Sequence, residues 1–175
     1  MKKILLIGSG GAGKSTLARR LGGILGIQVH HLDALYWKQG WVETPREEFI
    51  KQIQPIMEQE SWIVDGNYFA TMEMRMAAAD TIIFLALPRL HCTYRVIKRR
   101  IQHHKKIRPD MGAGCKEKLD WDFIKWVWNY PRDQRPHILE RLKELEGKKN
   151  IIILHSAPEV KQFLSRLQKA EVHLD

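Results

Sequence analysis

The stretch Gly8-Ser9-Gly10-Gly11-Ala12-Gly13-Lys14-Ser15 constrains this chain more than any other feature. It is a complete G-x-x-x-x-G-K-[ST] phosphate-binding loop, and its flanks are the ones the motif needs. The apolar run Ile4-Leu5-Leu6-Ile7 reads as a strand before it. Leu17, Leu21, Ile24 and Leu25 after it recur at helical spacing. Glycines let successive backbone N–H groups turn inward onto phosphate oxygens. The helix that follows adds its own unpaired N–H groups and the positive end of its dipole. On this reading Gly8 to Thr16 cradle a nucleoside triphosphate. Lys14 reaches the β- and γ-phosphates as a point charge, and the Ser15 hydroxyl binds Mg²⁺. The guanine-reading pattern Asn-Lys-x-Asp is absent, which favours ATP over GTP.

Beyond the loop, strands and helices alternate. Gln28 to Leu32 reads as a second strand delivering Asp33. Thr44-Pro45-Arg46-Glu47 is a capping box with proline at the first helical position. Its helix carries Phe49, Ile50 and Ile53, and Pro55 is expected to kink or shorten it. Trp62-Ile63-Val64-Asp65-Gly66 reads as a buried strand ending in a turn. Met72 to Ala79 reads as a short helix, and Thr81 to Leu87 as a strand stopped by Pro88. A basic helix follows from about Leu90 to Gln102. His103 to Lys118 is polar, without hydrophobic period, and reads as a mobile basic lid. A helix with Trp121, Ile124 and Trp128 on one face is expected to break at Pro131, and Trp121, Trp126 and Trp128 are expected to be core. A helix with Ile138, Leu142 and Leu145 precedes a last strand, Asn150 to Leu154. Ser156-Ala157-Pro158-Glu159 is a second capping box, opening the final helix. Five strands alternating with helices imply an α/β fold with a parallel sheet covered on both faces. No internal repeat or linker splits residues 1–175, so one domain is expected.

Composition excludes several classes. The apolar fraction of 44 % suits a globule, and no apolar run approaches the ~20 residues of a membrane span. Cys92 and Cys115 alone cannot make a disulfide scaffold, and neither forms a zinc-type pair with another cysteine. The chain reads as cytoplasmic. The net charge of +9 is concentrated: residues 89–118 carry +8 of it. Such a field attracts a polyanion, either ATP with an acceptor or nucleic acid.

In an open parallel sheet, ligands bind beyond the carboxyl ends of the strands. The polar residues expected there are Asp33 after the second strand, Asp65 to Tyr68 after the third, and Arg89 after the fourth. Two carboxylates beside a triphosphate suit two roles. Asp33 is expected to orient or deprotonate an acceptor, and Asp65 to serve acceptor and metal. Arg95 and Arg99 share a helix face, while Arg132 and Arg135 lie beyond the lid. Arg99 and Arg132 are the expected pair on the migrating phosphoryl group, whose charge grows on its equatorial oxygens. Of His30 and His31, at most one faces a site, and packing is the simpler role for both.

These residues together resemble the P-loop kinases of the adenylate kinase and shikimate kinase type. The Gly8–Ser15 loop, Asp33, the Asp65-Gly66 turn, Arg89 and an arginine-flanked lid match in order. More closely, the chain resembles the bacterial DNA topology modulation protein family. That pattern appears as His31-Leu32-Asp33, Trp62 to Tyr68, Leu87-Pro88-Arg89, Arg95 to Arg100, Arg108-Pro109-Asp110, and Asp120-Trp121 through Tyr130-Pro131. The resemblance implies a three-layer P-loop NTPase fold with a five-stranded parallel sheet. It implies an ATP-dependent kinase with Mg²⁺, Lys14, Asp33, Arg99 and Arg132 in catalysis, and Asp33, Asp65, Tyr68 and Arg89 at the acceptor. The acceptor is a small molecule: a nucleoside, nucleotide or other small alcohol. The family name implies an alternative, weak binding to DNA through the basic lid. Asp65-Gly66 continues Asn67-Tyr68-Phe69, not the Phe-Pro-Arg of adenylate kinases, and the shikimate kinase triple-glycine turn is missing.

Overall fold

Strand β1 (Lys3–Gly8) is apolar on both faces, which places it inside a sheet covered from both sides. The structure, a computed structural model, describes residues 1–102 and 120–172. After β1 come α1 (Lys14–Leu25), β2 (Val29–His31), α2 (Leu32–Tyr36) and a small hairpin of β3 (Trp37–Lys38) and β4 (Val42–Glu43). Then follow α3 (Arg46–Glu58), β5 (Trp62–Asp65), a 3₁₀ turn (Phe69–Thr71), α4 (Met72–Ala78) and β6 (Thr81–Leu85). The chain continues through α5 (Arg89–Gln102), α6 (Trp121–Asp133), α7 (Arg135–Glu144), β7 (Asn150–Leu154) and α8 (Ala157–Val172). The main sheet has five parallel strands in the order β2-β5-β1-β6-β7. The chain visits the β2 edge first, returns to β5, then crosses β1 to β6. The carboxyl end of β1 therefore lies where the strand order reverses, the crevice in which such sheets hold ligands.

Alternation along the strands divides the core into two layers. Ile4, Leu6, Ile83 and Leu85 pack with Leu17 and Leu21 of α1, Val96 of α5 and Leu164 of α8. Leu5, Ile7, Ile82 and Phe84 pack with Phe49 and Ile53 of α3, Met76 of α4 and Leu142 of α7. Helix α6 closes one end, giving Val127 to the first layer and Tyr130 to the second. Each fully buried Leu, Ile or Phe contributes roughly 1.5–3 kcal/mol over an exposed one, so the packed layers set the strand register.

Several local expectations change in three dimensions. Strand β2 is shorter than expected, and Asp33 lies in the first turn of α2. Thr44 does not cap α3; its hydroxyl donates to the Leu35 carbonyl at 3.1 Å. Helices α3 and α6 run through Pro55 and Pro131. Both prolines lie close to the helix C-terminus, so few turns remain to be lost. Their neighbours Ile56, Met57 and Tyr130 are buried, which holds the backbone helical. Trp121 and Trp128 are 66 % and 39 % exposed, so they are not core; Val127 and Tyr130 form the buried face of α6 instead. The Ser156 box does form, with the Glu159 N–H donating to Ser156 Oγ and Glu159 Oε2 accepting from the His155 N–H. The lid expected over 103–118 lies outside the described residues. No described helix is long and apolar enough to cross a membrane.

Candidate functional site

The phosphate-binding loop wraps the carboxyl end of β1 and feeds α1. Gly13 is the N-cap of α1 at φ 97°, a left-handed conformation that glycine takes without cost, and no side chain caps the first turn. Gly10 is required by crowding: a Cβ there would lie 2.6 Å from Phe123 and 2.8 Å from Val127 of α6. Lys14 Nζ donates to the Gly8 carbonyl at 2.8 Å and the Ser9 carbonyl at 3.0 Å. Burial lowers the Lys14 pKa, and the nearby Asp33 and Asp65 carboxylates oppose the shift. A buried ammonium that keeps carbonyl partners is held in place for an anion. Asn67 braces the loop from the neighbouring strand end. Its Oδ1 accepts from the Gly8 N–H at 3.1 Å and its Nδ2 donates to the Gly8 carbonyl at 2.9 Å.

Beyond the ends of β2 and β5 stand the carboxylates. Asp65 closes β5 and is 4 % exposed. His31 is its register partner on β2, and His31 Nδ1 meets Asp65 Oδ1 at 2.7 Å. That contact fixes the rotation of the Asp65 carboxylate. Asp33 accepts from the Tyr68 hydroxyl at 2.6 Å. Burial, then the Asp33 charge, pushes the Tyr68 pKa far up, so the phenol stays a donor. The turn carrying Asn67 and Tyr68 is held from beneath by Arg75 of α4, which is fully buried. Its guanidinium donates to the carbonyls of Gly66 at 2.8 Å, Asn67 at 2.7 Å and Tyr68 at 2.8 Å, and to Thr71 Oγ1 at 3.1 Å. Burial pulls the Arg75 pKa down to about 9, so it is still a cation at neutral pH.

The loop, Asp33, Asp65, Asn67 and Tyr68 line one cleft of ≈ 930 Å³, at the upper end of the roughly 300–1,000 Å³ usual for small-molecule sites. Its floor is Gly10, Gly11, Gly13, Lys14, Ser15 and Thr16. Asp33, Asp65 and Tyr68 line it together with Arg95, Lys98 and Arg99 of α5. Gly8, Ser9 and Ala12 support the loop from behind, with Ser9 and Ala12 buried. Two expected residues are not brought to the cleft wall. Arg89 lies over the Trp128 ring at 4.5 Å from its centroid, and Arg132 is exposed and pairs with Asp133 at 2.6 Å. Helical spacing showed which arginines share a face, but not which face looks inward. Arg95 takes the nearer place, its Nη1 lying 3.0 Å from where a Cβ on Gly13 would stand. Sequence reasoning gave Arg75 no role, placed Asn67 at a strand end without a task, and gave His31 packing as its simpler role. Only the His31–Asp65 pair carried a signal, since both residues end neighbouring strands.

Sheet order, loop and flanking helices define the class: this is the α/β fold of the P-loop kinases. Residues 1–86 match a family model described as PduV-EutP, ethanolamine utilisation - propanediol utilisation. No curated protein matches the chain in sequence. A shikimate kinase from Acinetobacter baumannii in complex with shikimate superposes with a TM-score of 0.62 at 11 % identity, over 100 % of this chain and 95 % of that one. A shikimate kinase from Bacteroides thetaiotaomicron gives 0.51 at 17 % identity, over 95 % and 96 %. A deoxyadenosine kinase from M. mycoides gives 0.50 at 13 %, over 98 % and 99 %. These likenesses are likenesses of fold.

Proposed function

We propose that the protein is an ATP- and Mg²⁺-dependent phosphotransferase acting on a small alcohol. The observation that carries this is the gathering, in one cleft, of the Lys14 loop, two carboxylates and three α5 cations. The loop N–H groups and Lys14 hold the β- and γ-phosphates, the Lys14 ammonium exchanging its carbonyl partners for phosphate oxygens. Ser15 and Asp65 would hold Mg²⁺, which would neutralise phosphate charge there. The acceptor hydroxyl donates its proton to Asp33 as its oxygen bonds to the γ-phosphorus. The bond from that phosphorus to the β–γ bridging oxygen breaks, and ADP leaves. Arg95 and Arg99 stabilise the charge on the transferring group. Tyr68, locked as a donor, holds Asp33 at its post. The resemblance to deoxyadenosine and shikimate kinase folds supports the reaction class and leaves the acceptor open.

The test is thermal unfolding with Mg²⁺ and ATP, followed by acceptor-stimulated ADP release. Ligand at about 100 times its Kd should stabilise the wild type by about 2.7 kcal/mol. Lys14→Ala should lose that stabilisation while its own unfolding temperature stays within a few degrees of wild type. Equal stabilisation of both proteins would overturn the loop assignment.

A second reading has one observation in its favour, the +8 charge of residues 89–118. It is an ATP-binding protein of the DNA topology modulation type that touches DNA through this segment. Phosphate contacts predict that log affinity falls against log salt with a slope of about −0.9 per contact. No measurable DNA affinity at physiological salt rules it out.

A further inference from the structure

The phosphate-binding loop is gripped from several elements, each at a different glycine. Asn67, beyond β5, holds Gly8. Helix α5 closes on Gly11, where a Cβ would lie 2.3 Å from the Cys92 carbonyl oxygen and 3.0 Å from Val96. Helix α6 closes on Gly10 through the tip of the Phe123 ring, 2.6 Å from where a Cβ would stand, and through Val127 at 2.8 Å. Gly10 differs from its neighbours in the loop. Gly11 and Gly13 have φ of 75° and 97°, so their backbone already asks for glycine. Gly10 is not among the glycines with positive φ, and the G-x-x-x-x-G-K-[ST] pattern leaves its position open. Glycine is needed there because of what α6 sets against it. That contact is itself well fixed. Asp120, the N-cap of α6, accepts from the Asp122 N–H at 3.0 Å and the Phe123 N–H at 3.1 Å, which pins the first turn. The Phe123 ring stacks on Trp126 with centroids 5.8 Å apart, and Trp126 meets the buried Tyr130 edge-on at 5.1 Å. Phe123 is thus held at its backbone, on its ring face and at its tip.

We infer that Phe123 is a positioning residue for the nucleotide. Seated on Gly10, it keeps the loop in the shape in which its backbone N–H groups converge on phosphate oxygens. The inference rests on the reading of Gly8 to Thr16 as a nucleotide cradle, and it adds α6, an element outside the motif, to the binding machinery. N–H groups that must all reach phosphate within hydrogen-bond range tolerate only small shifts of the loop. A methyl group on Gly10 enters only if the loop or the Phe123 ring moves, and the ring is backed by its stack with Trp126.

The experiment titrates the full chain with Mg²⁺-ADP by calorimetry, well below the unfolding temperature of every variant, so that lost affinity does not report lost stability. Gly10→Ala should weaken binding about tenfold or more, and Phe123→Ala about threefold to tenfold. Phe123→Leu, which keeps an apolar group over Gly10, should recover most of the second loss. Combining Gly10→Ala with Phe123→Ala puts the new methyl where the ring has been removed. The two losses should then fail to multiply, and the double variant should bind at least as well as Gly10→Ala alone. A double variant that binds more weakly than Gly10→Ala overturns the inference. Wild-type affinity in Gly10→Ala or in Phe123→Ala overturns it as well. If Gly10→Ala does not fold, the comparison of Phe123→Ala with Phe123→Leu decides alone, and equal affinities overturn it. A wild type that takes up no nucleotide removes the cradle and this inference together, whereas a wild type that binds while the losses multiply removes the inference only.

Discussion

Removing the Arg75 side chain strands the carbonyls of Gly66, Asn67 and Tyr68 at once. Each buried carbonyl left unpaired costs on the order of 1–3 kcal/mol. Arg75→Met should therefore lose at least about 3 kcal/mol in urea unfolding, and Arg75→Lys, with fewer donors, less than the full loss. A stability like that of the wild type in Arg75→Met would refute the bracing role. Nothing in Met72-Glu73-Met74-Arg75-Met76 announces this part. An arginine in a short helix reads as solvent-facing, because charged residues are rarely buried without partners. Its partners are backbone carbonyls of a turn, which carry no residue identity. The Gly8–Ser15 loop was legible for the opposite reason, since its chemistry depends on residue types at fixed local spacing.

Elements were legible where pattern and punctuation agreed. Strands β1, β5 and β6 fall where apolar runs end at glycine, aspartate or proline, and β7 where one ends at His155-Ser156. The Ser156 box caps α8 because Ser156 and Glu159 satisfy each other and the orphan N–H groups of the first turn. Ser156→Ala should cost about 1 kcal/mol, read as a lower urea midpoint at unchanged m-value. No change would mean that packing of Leu164 alone fixes the helix start. Thr44 shows the limit of the same signal. Its hydroxyl finds the Leu35 carbonyl, a tertiary partner that outcompetes the local cap. Pro55 and Pro131 likewise lose to buried neighbours. The choice between Arg132 and Arg95 depended on how α5 and α6 rotate against the loop, and periodicity alone does not supply that.

At the scale of the molecule, both core layers share the same five strands. Loosening one layer exposes the other face of the sheet, so the chain should unfold as one domain. Far-ultraviolet circular dichroism and tryptophan fluorescence should give coincident urea transitions. Two separated transitions would show that 1–175 holds more than one folding unit. The strand ends that frame the cleft could be read from the sequence; the contact of Trp37 with Trp41 could not, because the turn of the β3–β4 hairpin brings the two rings together.

Asn67 grips Gly8 by both its N–H and its carbonyl. The first link of the loop and the turn before Tyr68 are thereby fastened into one rigid joint. Asn67→Leu would set both free together, because a single amide side chain ties the start of the loop to the far strand end.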